Sequence, residues 1–201
     1  MGYRGEIECV RRGHYPQGGG MVRARIEPVE RLVGLTLTEP GKVTRISGLA
    51  HCVRLPTHVA TRMAHAASME LVNAGHSNVN IRTESYPPED DPHLGPGAGI
   101  VLWAETENGA ILGSSSLGIP GKRAEVVGRE AAGSMVRQLE TGCAVDRHLT
   151  DQLIPYLALA EGPSRITSAE LTLHSLTNVN LVGQILGLNF EIEGDIGSTG
   201  V

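Results

Sequence analysis

The 201-residue chain has room for one large domain or two small ones, and 40% hydrophobic against 19% charged residues predicts a buried core. A formal charge of -5 excludes the global basic field that drives non-specific nucleic-acid binding, although a local basic groove remains open. Three scattered cysteines without a CxxC, no apolar run near 18 residues and no charged-then-apolar leader read against a disulfide framework, a zinc site, a membrane span or a signal peptide, and point to a cytoplasmic protein.

Aromatics are only 3%, so the core must be built from Leu, Ile, Val, Ala and Met, which favours helices layered on a sheet. Gly5 to Val10 reads as a strand. A second follows the turn His14-Tyr15-Pro16-Gln17-Gly18-Gly19-Gly20, where Val22, Ala24 and Ile26 alternate with Arg23, Arg25 and Glu27. The glycine turn matches no phosphate-binding fingerprint and reads as a flexible connection of a hairpin. Short strands are expected at Leu35 to Thr38 and Val43 to Ser47.

A helix follows, with Thr57 as its cap, Ala60, Met63, Ala64, Ala67, Leu71 and Ala74 at helical spacing, and Gly75 as its stop. Val79, Ile81 and Thr83 alternate in a strand. Residues 86–99 read as a loop, Ile100 to Ala104 as a central strand, and Asn108-Gly109 as a hairpin turn. Ala124, Val127, Ala131, Met135 and Leu139 then form the apolar stripe of a second helix. Residues 35–140 thus read as a two-layer β-α-β-β-α unit. Beyond it come a helix over Asp146 to Ala160 that Pro155 can kink, a strand over Ile166 to Leu173, a helix over Val179 to Leu186, a closing strand over Leu188 to Glu193 and a fraying glycine-rich tail.

Two constellations carry chemistry. In a strand ending at His174, Glu170, Thr172 and His174 share one face, and Ser175-Leu176-Thr177-Asn178 supplies caps for the next helix. An imidazole beside a helix N-terminus sits where a phosphate is favoured, and neutral imidazole is a competent nucleophile toward phosphorus. Alone, the same histidine also reads as a polar residue satisfied by a cap or solvent. His148, Asp151 and Gln152 lie at i, i+3 and i+4 of a helix start, one face that could hold a purine ring, a metal ion and a hydroxyl. Asp151 as an acid complementing the helix dipole, beside two solvated neighbours, is the competing reading. His58 and His65 form no metal-binding pair, and Ser114-Ser115-Ser116 lacks a strained nucleophile elbow.

In order along the chain, His14-Tyr15-Pro16-Gln17-Gly18-Gly19-Gly20, Gly97-Ala98-Gly99-Ile100-Val101-Leu102-Trp103-Ala104, Leu117-Gly118-Ile119-Pro120-Gly121-Lys122-Arg123-Ala124-Glu125, Val145-Asp146-Arg147-His148-Leu149-Thr150-Asp151-Gln152 and Leu173-His174-Ser175-Leu176-Thr177-Asn178 resemble the RNA 3′-terminal phosphate cyclase family. The resemblance implies an α/β (α+β) fold in which a large domain of β-α repeats carries an inserted small α/β domain. Residues 35–140 would be the insert, with 1–34 and 141–201 as parts of the large domain. It further implies that a histidine takes AMP from ATP, that AMP passes to an RNA 3′-phosphate, and that the 2′-hydroxyl closes a 2′,3′-cyclic phosphate. By motif position the nucleophile falls on His174. The nucleotide-contacting helix start falls on His148, Asp151 and Gln152, with His148 stacking on adenine and Asp151 a ligand of Mg²⁺ or Mn²⁺.

Family proteins are longer, and their N-terminal ATP contacts have no counterpart here, so the resemblance leaves room for a separate N-terminal polypeptide, a homo-oligomer or an inactive remnant. A non-catalytic cyclase-like branch that works in ribosome assembly is the alternative; it lacks the nucleophilic histidine, which His174 speaks against. A general RNA-binding module using Arg23 and Arg25 is disfavoured by the acidic charge and few aromatics.

Overall fold

In the computed structural model, which describes residues 1–201, four helices and eight strands form two α/β layers and a projecting hairpin. Strands β1 (Arg4–Arg11) and β2 (Met21–Glu27) pair antiparallel. Their register places Ile7, Cys9, Val22, Ala24 and Ile26 on one face, opposite Glu6, Glu8, Arg23 and Arg25. Nothing covers the apolar face: Ile7 is 81% exposed, Val22 and Ile26 63% each.

Strand β3 (Thr36–Leu37) does not join the unit that follows it; it pairs parallel with β8 (Arg165–Ile166). That following unit is a four-stranded sheet in the order β5-β4-β6-β7, made from β4 (Val43–Val53), β5 (Val79–Glu84), β6 (Gly97–Thr106) and β7 (Ile111–Leu117). Helix α1 (His58–Asn73) crosses between the parallel strands β4 and β5, and helix α2 (Ala124–Glu140) follows β7. The unit runs β-α-β-β-β-α, one strand more than the expected β-α-β-β-α order, and the expected hairpin turn at Asn108-Gly109, where Gly109 has φ +80°, joins β6 to β7.

Alternation explains which face is dry. Ile46, Ala50 and Cys52 of β4 and Ala98, Ile100, Leu102 and Ala104 of β6 meet Ala60, Met63, Ala67 and Leu71 of α1 and Val127, Ala131 and Met135 of α2. This cluster contains no aromatic residue, as the composition requires. Small residues let the two helices approach closely: a Cβ on Gly128 would stand 2.3 Å from the Met63 carbonyl oxygen. Gly75 (φ +95°) ends α1 as its pattern predicts, but Thr57, although at the N-cap position, makes no side-chain cap; its hydroxyl accepts a hydrogen bond from Ser85 Oγ instead.

The glycine-rich turn between β1 and β2 is not a flexible connection. It packs on the loop before β6: the His14 ring occupies the space a Gly97 Cβ would need, at 2.0 Å, the Gln17 side chain lies against Gly95, and Leu94 lies against Gly19. Beside it, Arg12 donates two hydrogen bonds to Glu84 at 2.8 and 2.9 Å.

The C-terminal part departs most from expectation. Helix α3 (Arg147–Leu159) and helix α4 (Leu173–Leu186) are present, but the strand expected over Ile166 to Leu173 stops at Ile166. Ser168 Oγ bonds both the N–H and the carbonyl of Glu170, a local turn that competes with a strand ladder. Leu188 to Glu193 forms no strand: only Glu193 is paired, exchanging two backbone hydrogen bonds with Val201 at 3.0 Å, while Leu188 N–H bonds back to the Gly183 carbonyl of α4. The tail does not fray: Ser168 and Gly200 exchange backbone hydrogen bonds at 2.7 and 3.1 Å, and Gly200 has Leu171 side-chain atoms at 2.4 Å from where its Cβ would be.

The α1–α2 contact is testable. Gly128→Val drives side-chain atoms into backbone rather than into a yielding side chain, so it should destabilise the protein by about 1–3 kcal/mol or more, read as a lower urea midpoint at unchanged slope.

Candidate nucleotide site at paired helix starts

Three backbone donors at the start of α3 are already satisfied. Asp146 is the N-cap, its Oδ1 accepting from His148 N–H at 2.9 Å and Leu149 N–H at 2.8 Å. Gln138 Oε1, from the end of α2, accepts from Arg147 N–H at 3.0 Å. The same two side chains grip the edge of β7: Gly113 N–H donates to Asp146 Oδ2 at 3.0 Å, and Gln138 Nε2 donates to the Gly113 carbonyl at 2.9 Å. One carboxylate and one amide thus cap a helix, close an open strand edge and join the four-stranded unit to α3.

Helix α4 starts differently. Thr172 is its N-cap, Oγ1 accepting from Ser175 N–H at 3.1 Å, while the N–H groups of Leu173 and His174 have no partner. His174 therefore lies within the first turn of a helix and not at the end of a strand, and the expected shared face of Glu170, Thr172 and His174 does not exist. The cap is Thr172, ahead of the Ser175 to Asn178 segment expected to supply it.

Asn178 has a different task. Pro155 lacks the N–H that would bond the carbonyl of Asp151, four residues earlier in α3. Asn178 Nδ2 donates to that carbonyl at 2.9 Å. Further along, Pro155 and Leu159 face Val182, Ile185 and Leu186, so the two helices run side by side in the same direction. Their starts are level. His174 is one turn before Asn178, and His148 is three residues before Asp151, which brings both imidazoles to the same end of the pair. His148, Gln152 and His174 are exposed and Asp151 is half-buried.

Between the helix starts, Arg147 pairs with Glu170 at 3.0 Å. No cluster of three or more His, Cys, Asp or Glu side chains could enclose a metal ion. A cavity of about 610 Å³ lies beneath the helices, lined mainly by apolar residues such as Ile154, Leu157, Ile166, Val179 and Phe190. None of His148, Asp151, Gln152 or His174 lines it. Sequence reasoning missed Asp146, Gln138 and the pairing of Pro155 with Asn178. The first two are visible only once β7 and α3 are adjacent. A helix-interior proline, which always leaves an unpaired carbonyl, was the available signal for the third.

The chain is thus a two-layer α/β unit set between flanking segments that carry the parallel helix pair α3 and α4, with an exposed histidine at its start. The insert-domain model of the RNA 3′-terminal phosphate cyclases matches residues 38–140, just over half of the chain, and the chain belongs to that family. Relatives named RNA 3′-terminal phosphate cyclase include those of Methanopyrus kandleri (49% identical over 197 residues), Ignicoccus hospitalis (50% over 197 residues) and Thermococcus gammatolerans (49% over 201 residues). These alignments cover 98 to 100% of this chain but 56% of each relative, so the chain spans just over half their length. No helix is long and apolar enough to cross a membrane.

The helix pairing makes a specific prediction. Asn178→Leu leaves the Asp151 carbonyl without a donor and should cost about 1–3 kcal/mol in chemical denaturation. Adding Pro155→Ala restores an in-helix donor to that carbonyl. The double variant should therefore lose less than Asn178→Leu alone, whereas equal losses would show that the hydrogen bond does not couple the helices.

Proposed function

We propose that the chain carries the adenylyl-acceptor part of an ATP-dependent RNA 3′-phosphate cyclase, with His174 as the residue that takes AMP. The observation that supports this most is the level start of α3 and α4: an exposed histidine, two free backbone N–H groups, and His148, Asp151 and Gln152 at the same end of the helix pair.

In this reading a ring nitrogen of neutral His174 attacks the α-phosphorus of ATP, an N–P bond forms, and the bond to the bridging oxygen breaks as pyrophosphate leaves. The free N–H groups of Leu173 and His174 and the positive end of α4 would stabilise charge on the phosphate oxygens. His148 presents an imidazole face for adenine, and Gln152 presents an amide on the same side of α3. Asp151 would be the residue that holds Mg²⁺ or Mn²⁺, and carboxylate oxygen suits either ion. A bound ion there would offset phosphate charge. AMP then passes to an RNA 3′-phosphate, and the adjacent 2′-hydroxyl displaces it to close the 2′,3′-cyclic phosphate.

The uncovered apolar face of β1–β2 supports a working form in which further polypeptide covers it, either an N-terminal portion or a second copy of the chain. A non-catalytic cyclase-like role in ribosome assembly, or an inactive remnant, is the alternative that loss of adenylylation would favour.

Incubation with α-labelled ATP and Mg²⁺ or Mn²⁺, with and without the N-terminal portion of a relative, tests the proposal. Acid-labile label on the denatured protein that vanishes in His174→Ala is the expected result. A folded protein that takes no label in either mixture would sink the catalytic reading.

A further inference from the structure

Where the glycine turn meets the four-stranded unit, the structure buries imidazoles that the adenylyl chemistry does not use. His51, at the end of β4, is 6% exposed, and its Nδ1 has no hydrogen-bond partner. The His14 ring lies against it with centroids 5.5 Å apart, and His14 Nε2 is likewise buried without a partner. His93 is 2% exposed, its Nδ1 2.7 Å from Asp91 Oδ1 and its ring 4.8 Å from that of Tyr86. From the hairpin side Arg12 enters the junction and is held by Glu84, which also accepts from Tyr86 at 3.0 Å.

We propose that His14 and His51 form a proton-operated latch, holding the Gly13–Gly20 turn on the four-stranded unit while both rings are neutral and releasing it when they are charged. Each ring packs against a glycine: Gly97 under His14, and Gly99, the register partner of His51, with its absent Cβ 3.0 Å from His51 Cε1. Neutral rings fit these flat surfaces. A proton on His51 would bring an unpaired cation into a dry site that already holds the Arg12 guanidinium. Glu84 is the one carboxylate that favours a charged His51, and it is committed to Arg12; Asp91 is committed to His93 and to the backbone N–H groups of Arg54 and His93.

Burial, then the charges of Arg12 and His14, push the His51 pKa down to about 4; burial, Arg12 and His93 lower that of His14. The released turn binds more protons wherever pH lies below the ordinary histidine value, so docking is strongest above about 6.5 and weakens as pH falls toward about 4. If release restores the ordinary value of 6.5, His51 alone weakens docking roughly thirtyfold between pH 7.5 and pH 5. The device is independent of the cyclase reading.

Hydrogen exchange of the full chain at pH 7.5 and pH 5.0, corrected for intrinsic rates, tests the latch. The Gly18 amide, which donates to the His14 carbonyl, should lose at least tenfold in protection at pH 5.0, while the ladder amides of β4 and β6 from Ile46 to Ala50 and Ile100 to Ala104 keep theirs. In His51→Gln the response should shrink to under threefold, and His14→Phe, which keeps the ring, should reduce it too. Unchanged protection of the wild-type turn at pH 5.0 would overturn the latch even if neither variant folds. So would a full response that survives in both variants.

Discussion

A hydrogen bond that Pro155 cannot make governs the C-terminal half of the molecule. Proline costs a helix interior about 3 kcal/mol because it removes a donor and crowds the preceding turn. Here the carbonyl it frees, that of Asp151, becomes the acceptor for Asn178 of the neighbouring helix. A position along α3 is thereby tied to a position along α4. Apolar contacts between helices tolerate sliding far better than a directional bond to one carbonyl does, so this bond sets the register. The register in turn puts His174 level with the start of α3.

The two helix starts are chemically unequal, and this follows from what caps them. The positive end of α3 faces the Asp146 carboxylate, and Arg147, His148 and Leu149 have spent their N–H groups on Asp146 and Gln138. The end of α4 carries a neutral threonine cap and retains two free donors. In the proposed adenylylation a phosphate would therefore be drawn to α4, where His174 is, while α3 would contribute side chains. Asp146 also accounts for the connection between units: its second oxygen holds β7, so the four-stranded sheet and the candidate site share one buried carboxylate.

Periodic features were legible in the sequence and reciprocal ones were not. The stripes of α1 and α2 and the Asn108-Gly109 hairpin appear at the expected positions because each depends on local spacing. The strand expected to end at His174 failed because Leu171 and Leu173 alternate with polar residues for unrelated reasons: Leu171 packs on Gly200, and Leu173 is an exposed first-turn residue. Thr172, read as a strand residue, is the cap, and the downstream Ser, Thr and Asn residues expected to supply it were locally just as eligible. Asp146 stands at the start of an expected helix, but its bond to Gly113 crosses 33 positions and has no local trace. Likewise, the glycine turn carries no phosphate fingerprint, and its purpose appears only when Gly97 and Gly95 are seen to lie beneath it.

The β1–β2 hairpin shows what the described fold leaves unfinished. Its alternation is as regular as that of β4 or β6, yet Ile7, Val22 and Ile26 face solvent. Covering side chains of this size yields about 1.5–3 kcal/mol each, so three of them represent a substantial fraction of a domain's net stability. The polar face of the hairpin is already served by the Arg23–Glu8 ion pair, which is exposed and contributes little. A two-stranded ribbon is marginal in water, and here the contacts of the glycine turn anchor only one end of it. Its patterning therefore specifies a buried surface, and the physical demand for a cover is separate from the chemistry at His174: the helix pair can be ordered by its own hydrogen bonds while the hairpin still lacks a partner.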